Sequence, residues 1–419
     1  MQPNSAHKQA PAFGHAVVIG SSIAGLTIAR VLSDHFARVT LIERDRLPDA
    51  PDFRRGVPQS HHAHSLPVRG QMILEQQFPG LLADLIAGGA QPINGGSEMA
   101  YFIAGKWHEV KHHSALVSMT CSRPLLDTTI YHRLLALLNV EVVQEQEVVG
   151  LVVDRQGERV TGVRLRSGRG LYRSESELTA ELVVDASGRA SKAPVWLAEL
   201  GFTPPRESVI NAFSGYASRI YRHPSEFASD WKTLYVRPSP PRSSRGGLVI
   251  PIEGDRWHVT LVGMAGDYPP TDERGFLDFA RSLPTSQLYE AIKQAEPLGK
   301  PYGYRATANR VRHYDQLPRY LEGFLVGGDA VYTLNPVYAQ GITSAVLGSQ
   351  ALARSLAEQP QGDLTGLAAA FQTQLKEAVA SAWQMATRED GRWPATEVVK
   401  QVAPKPPRLT TVGLKPIPA

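Results

Sequence analysis

The chain has one cysteine, Cys121, so no internal disulfide can form and a reducing, cytoplasmic compartment is expected. A lone thiol is weak ground for a cysteine nucleophile, and a small packed side chain is the simpler reading. No apolar stretch approaches the length of a membrane span, so stable membrane insertion is not expected. Charge of one sign is nowhere concentrated: 44 Lys and Arg against 40 Asp and Glu leave +4, without a block of five like charges. Nucleic acid is therefore not an expected partner. Residues 1–14 lack the basic start and apolar run of a signal peptide and read as a disordered tail. A proline-rich tail is expected over 401–419, with Pro404, Pro406, Pro407, Pro416 and Pro418. At 419 residues the chain can bury a large core without disulfide or metal staples.

What is present begins at His15–Gly20 (HAVVIG), a short apolar run ending on glycine, as a buried parallel strand should. The turn Gly20-Ser21-Ser22-Ile23-Ala24-Gly25 opens a stretch with apolar residues at helical spacing to Leu32. A second β-branched run, 37–43 (ARVTLIE), ends on Glu43, 23 positions after Gly20. Strand, glycine turn, helix, strand and acid form the opening of a dinucleotide fold. In it, backbone N–H groups at a helix N-terminus meet a pyrophosphate, and the carboxylate accepts hydrogen bonds from the adenosine ribose. Arg44 stands next to that carboxylate as a further cofactor candidate. Ser22 departs from the fingerprint, which wants glycine there; a small hydroxyl side chain still allows close approach.

Two rivals compete for the same six residues. Gly20-x-Ser22-x-Ala24 is close to a hydrolase nucleophile elbow, but fewer than twenty residues precede it, too few for the earlier strands and the oxyanion loop. The Gly20…Gly25 spacing also imitates a P-loop, yet Leu26-Thr27 stands where Lys-Ser/Thr is required. Residues His61, His62 and His64 could be read as metal ligands. No carboxylate or thiolate cluster accompanies them, and no metal is expected.

Five later segments carry a family likeness: 53–64 (FRRGVPQSHHAH), 121–127 (CSRPLLD), 181–188 (ELVVDASG), 324–342 (FLVGGDAVYTLNPVYAQGI) and 382–394 (AWQMATREDGRWP). In their order they resemble the FAD-dependent monooxygenases of the aromatic-hydroxylase fold, in the squalene-epoxidase-like and polyether-epoxidase-like branch. The resemblance implies an α/β fold: a Rossmann-like FAD-binding domain of glutathione-reductase type with an inserted β-sheet substrate domain. The implied boundaries are 15–70, 110–205 and 305–400 for the FAD domain, and 71–109 with 206–304 for the substrate domain.

By resemblance, Arg54 or its neighbour Arg55 lies near the pyrophosphate, Gln59 near the flavin, and Arg123 reaches the phosphates. Asp185 and Gly188 touch FAD, and Asp329 hydrogen-bonds the ribityl chain. Pro336 turns over the isoalloxazine, and the helix from Gly341 and Ile342 aims its N-terminus at the flavin N1/C2 carbonyl. Ala339 replaces the family's glycine beside the site of oxygen activation. Ala186 replaces the glycine of the wider class's Asp-Gly pair, so NADPH or NADH and a separate flavin reductase both stand as electron sources.

Residues 148–153 and 160–165 read as a hairpin across 155–158, and Ala212–Tyr221, Gly247–Ile252 and Trp257–Gly263 as strands of a second sheet. Phe213, Tyr216, Leu261, Met264, Tyr338 and Ala339 are the candidate pocket residues for a bulky apolar substrate. The reaction implied by the resemblance uses O2: a C4a-hydroperoxyflavin passes one oxygen to a natural-product intermediate, by epoxidation or hydroxylation. The cofactor carries the hard step, so no catalytic acid or base is assigned. The alternatives are a flavin dehydrogenase or reductase on the same fold, and a flavoprotein whose FAD is structural and which catalyses a non-redox cyclisation. The W-x-W-x-I-P signature of tryptophan-type flavin halogenases is absent.

Overall fold

The structure, a computed structural model, describes residues 11–109, 112–168 and 174–402. Its centre is a five-stranded parallel sheet in the order Phe324–Val326, Leu182–Asp185, Phe13–Ile19, Phe36–Ile42, Val140–Val143. The strands read as continuous apolar runs because both faces are covered. The register puts Val326, Asp185, Ile19, Ile42 and Val143 in one row across the sheet. Gly327, Ala186, Gly20 and Glu43, the next residues of four of these strands, therefore leave the sheet along one carboxyl edge, where open α/β sheets bind ligands. Helices Ile23–Leu32, Gly341–Ala357 and Leu367–Asp390 pack side by side and share one core with the sheet, including Val17, Leu26, Leu41, Val183, Val346 and Phe371.

The chain returns to this sheet through an antiparallel meander, Gln146–Val153, Val160–Ser167 and Ser174–Thr179, whose first hairpin is the one expected across 155–158. A separate seven-stranded sheet runs Tyr302–Tyr304, Gly215–Arg222, Arg256–Gly263, Arg245–Ile252, Thr233–Val236, Met99–Ile103, Lys106–Glu109. Helices Glu273–Arg281 and Gln287–Ile292 cover one face around Ala217, Tyr221, Val259, Leu261, Phe276 and Leu288. Side chains alternate along a strand, so Tyr216, Ser218, His258 and Thr260 occupy the opposite face.

Several boundaries differ from the sequence expectation. Helix Val68–Gln77, which crosses the expected boundary at 70, and helix Leu81–Ala87, expected in the substrate domain, put Ile73, Leu74, Leu81 and Leu85 into the first core. Gly70 lets the first of them approach Gly341–Ala357 closely: a β-carbon there would lie 3.2 Å from Thr343 Oγ1. The first strand starts at Phe13, inside the expected N-terminal tail. Strand Glu397–Val402 runs past residue 400 because it pairs with Glu207–Asn211, in a sheet completed by Asn309–Arg312 and Tyr332–Thr333. The expected tails otherwise fall on 1–10 and 403–419, outside the described residues. Among the described residues no helix is long and apolar enough to cross a membrane.

Candidate functional site

The glycine turn forms where the first strand gives way to its helix. Gly20 has φ +95°, a conformation that side chains rarely adopt. A β-carbon on Gly25 would lie 1.7 Å from the Gly20 carbonyl oxygen, so helix and turn meet only because position 25 is glycine. The helix N-cap, Ser22, makes no side-chain cap, and the first turn carries no acid. That leaves a positive helix end open to an anion.

Around this end lies a charged cluster. Glu43, 7% exposed, accepts from Ser21 N–H (3.1 Å) and Ser21 Oγ (2.5 Å), and through its other oxygen from Asp45 N–H (3.0 Å). Arg54 donates to Ser21 Oγ and Ser21 O, both at 2.8 Å, and pairs with Glu43 at 3.3 Å. Burial alone would raise the Glu43 carboxyl, but Arg54, the Ser21 hydroxyl and the two backbone N–H groups outweigh it and hold the group ionised. Arg123, also buried, donates to Ser22 Oγ (2.8 Å) while Asp127 steadies its Nε at 2.7 Å. A cleft of about 400 Å³, counting its open mouth, runs from Ser21 and Arg54 past Leu47, Asp127 and Tyr131.

Further along the same edge, Gly328 packs on the helix of the glycine turn: with φ +59°, its β-carbon would lie 2.6 Å from that of Ala24. Asp329 follows on this short turn, half-buried, its carboxylate without a hydrogen bond among the described residues. Burial raises its pKa against the pull of Arg123, Arg189 and Arg310. The turn Pro336–Tyr338 then leads into helix Gly341–Ala357, which again has no side-chain cap and no first-turn acid. Pro336, Ala339 and Gly341 are exposed, and the space before Gly341 is open. Two uncapped helix ends and an unpartnered carboxylate thus line one edge.

A family described as "FAD binding domain" matches residues 15–389. This chain belongs to that FAD-binding family. It is 36% identical over 379 residues to Protein Rv3254 of Mycobacterium tuberculosis, covering 88% of this chain and 79% of that protein. Its fold is similar to that of pqsL from Pseudomonas aeruginosa, described as a probable FAD-dependent monooxygenase (TM-score 0.62, 18% identity, 90% of this chain and 94% of that one). It is similar also to 2-methyl-3-hydroxypyridine-5-carboxylic acid oxygenase (TM-score 0.63, 19% identity, 91% and 93%). At these identities the structural likeness shows the aromatic-hydroxylase fold.

The residues on the edge fit FAD. The first helix end, with Arg54 and Arg123, suits the pyrophosphate; Glu43 suits the ribose; and the orphan Asp329 carboxylate suits a hydroxyl donor of the ribityl chain. Asp329→Ala should weaken FAD binding about 10- to 100-fold, the worth of one charged hydrogen bond, when the released flavin is titrated back. Ala339 sits in the left-handed region at φ +53°, where a glycine would be unstrained. Ala339→Gly should therefore stabilise the protein by about 1 kcal/mol in urea denaturation.

Other expected site residues are placed differently. Asp185 is 0% exposed, and its oxygens accept from Ser187 N–H (2.9 Å) and Ser191 Oγ (2.6 Å), so it shapes the turn behind the site and does not face a ligand. Gly188 continues that turn at φ +81°. Arg55 and Arg44 are exposed and away from the cluster that Arg54 enters. Gln59 is half-buried, with no side-chain hydrogen bond among the described residues. The three histidines do not converge as metal ligands would: His61 stacks between Phe53 and Tyr302 (4.1 and 4.0 Å), His62 meets Ser218, and His64 meets the His62 carbonyl. Cys121 is buried, and burial pushes its thiol well up, as expected of a packed side chain.

Of the expected pocket residues, Leu261 belongs to the core on the far face of the seven-stranded sheet. Tyr216 and Met264 are buried in a small cluster with Val262 and Trp393. Phe213, half-buried, is held in the left-handed region at φ +49°. The hydroxyls of Tyr216 and Tyr338 turn into a buried network. Tyr338 donates to Asp390 (2.6 Å), as do Asn309 Nδ2 (2.6 Å) and Asn335 Nδ2 (3.1 Å); Asn335 Oδ1 accepts from Tyr216 (2.8 Å) and from Val337 N–H (3.2 Å). Asp390 thereby fastens the Pro336–Tyr338 turn that leads into helix Gly341–Ala357. It stood in the 382–394 segment of the family likeness, but no local pattern marks it as a partner of Asn309 and Tyr338.

Proposed function

We propose that this FAD-dependent oxidoreductase is a monooxygenase that adds one oxygen atom, by epoxidation or hydroxylation, to a bulky, largely apolar natural-product intermediate. Bound and reduced, FAD supplies the electrons that activate O2. The carrying observation is the exposed Pro336–Gly341 turn, open beside a helix end with no competing cap. The chain's own tasks are to hold the cofactor through the cluster of Glu43, Arg54, Arg123 and Asp329, and to present the uncapped helix N-terminus to developing negative charge. A third is to keep water from the space beneath the second sheet. NADPH or NADH, or a separate flavin reductase, is the electron source. The fold shared with pqsL, a probable FAD-dependent monooxygenase, and with the pyridine-carboxylate oxygenase supports the oxygenase reading. The lone buried thiol supports a cytoplasmic site of action.

The test is turnover under oxygen-18 gas with NADPH and candidate polyenes and aromatics, with products read by mass spectrometry. One labelled oxygen per product is expected. Turnover unchanged under strict anaerobiosis would point to a dehydrogenase, and product formed with no reductant would point to structural FAD.

A further inference from the structure

On the face of the seven-stranded sheet turned away from its helices, Tyr216 lies directly opposite Tyr304, and Ser218 opposite Thr260. His62, from the loop over this face, sits against both tyrosines, with ring centroids 6.0 and 5.5 Å away. Its Nδ1 lies 2.8 Å from Ser218 Oγ, which lies 2.6 Å from Thr260 Oγ1, and Thr260 Oγ1 accepts from Ala63 N–H at 3.1 Å.

These contacts settle the proton positions. Among the described residues the Thr260 hydroxyl hydrogen has one acceptor, Ser218 Oγ, and the Ser218 hydrogen then has one acceptor, His62 Nδ1. The reverse direction leaves the Thr260 proton buried without a partner, which is costly. His62 is therefore the tautomer with its proton on Nε2, and Nε2 has no protein partner among the described residues. His62 is 7% exposed, and burial, then His258 and His61, push its pKa down to about 3, so it stays neutral. The backbone around it is pinned as well: His258 Nε2 lies 3.0 Å from the His61 carbonyl and His64 Nδ1 2.8 Å from the His62 carbonyl. The donor's direction is thus set before any ligand arrives.

Its two tyrosine neighbours connect His62 to the proposed reaction site. Tyr216 is tied to Asn335, the residue before Pro336, and Tyr304 feels the charges of Asp329 and Arg189. The Tyr304 hydroxyl, too, has no hydrogen bond among the described residues. We infer that His62 is a specificity-determining residue whose Nε2–H receives an acceptor oxygen, such as a carbonyl, of an otherwise apolar substrate. This deepens the monooxygenase reading and rests on it only for the place of the substrate.

The test uses oxidised, FAD-loaded enzyme titrated with 2-acetylnaphthalene and with 2-ethylnaphthalene, which lacks the carbonyl oxygen; Kd is read from the perturbed flavin absorbance. Wild type should bind the ketone about tenfold more tightly. His62→Phe should bring the ratio to about one, while His62→Gln, whose amide still donates, keeps most of it. Ser218→Ala, which frees the tautomer without removing the ring, should lower the ratio about threefold. Equal Kd values in wild type, no perturbation by either probe, or an unchanged ratio in His62→Phe overturns the assignment. So does a His62→Phe protein that loses FAD affinity with its probe ratio intact, because the ring would then serve the cofactor. No reductant or oxygen enters this measurement, so its outcome and that of the isotope experiment are independent.

Discussion

Gly25→Ala should leave a protein that retains no FAD after desalting and is less stable by about 3 kcal/mol or more in urea denaturation. The added methyl carbon would lie 1.7 Å from the Gly20 carbonyl oxygen and 2.9 Å from its carbon. Backbone atoms cannot swing aside as a side chain would, so the helix must withdraw from the turn. That withdrawal would carry off the uncapped N–H groups proposed to meet the pyrophosphate, and would disturb the contact of Ala24 with Gly328, which precedes Asp329. Ser22→Gly is the matched control. It removes one hydroxyl, the acceptor for Arg123, from the same turn without adding bulk, and should keep FAD with a loss of about 1 kcal/mol or less. A Gly25→Ala protein that purifies yellow at wild-type stability would show that the turn can open without cost.

Asp390→Ala should destabilise the protein by about 4 kcal/mol, since the buried Asn309 and Asn335 and the half-buried Tyr338 would be left as donors without their acceptor. A second signature is the pH dependence. Burial, opposed by its hydrogen bonds to Tyr338 and Asn335, raises Asp390 from 3.8 to about 6. Folded Asp390 thus holds its proton more tightly than the unfolded chain does, and ionising it opposes folding. Its stabilising contribution is complete below about pH 4 and is lost as pH rises through 6. Between pH 5 and 7.5 wild type should lose about 1.4 kcal/mol relative to Asp390→Asn, which has no such proton. Urea denaturation of the two proteins at both pH values measures this directly. A constant difference between them would mean that Asp390 is ionised throughout.

The same carboxylate bears on function, because Tyr338 and Asn335 flank the exposed turn before helix Gly341–Ala357. Loosening them should change how this helix end meets the flavin, which a shift in the absorbance of reduced FAD would report.

The sequence by itself determined the opening strand, turn, helix and strand and the glycine turns that follow the parallel strands. Apolar runs ending on glycine, the acid closing the second strand and the later Gly-Gly-Asp turn follow from local chain physics. A buried parallel strand must be apolar throughout, and a helix that meets its own preceding turn must have glycine at the contact. Such rules act within a few residues, so a reader of the chain can apply them. The parallel register then brings those local features to one edge.

What only the tertiary structure decided is where side chains point and what meets across long separations. Arg54 and Arg55 are adjacent and alike in the sequence, and only the packed loop turns the first toward Ser21 and the second to solvent. Asp185 ends its strand as a ligand-binding acid would, yet Ser187 and Ser191 fold back and occupy it. Leu261 turns to the helices and not to the pocket, which hydrophobic alternation does not show because its strand is buried on both faces, by helices on one side and the 53–64 loop on the other. The joining of His62 with Ser218, and of Asp390 with Asn309 and Asn335, spans 156, 81 and 55 positions. No local rule reaches so far: burial sets the cost of leaving these polar groups unpaired, and only the assembled sheets and helices decide which groups share that burial.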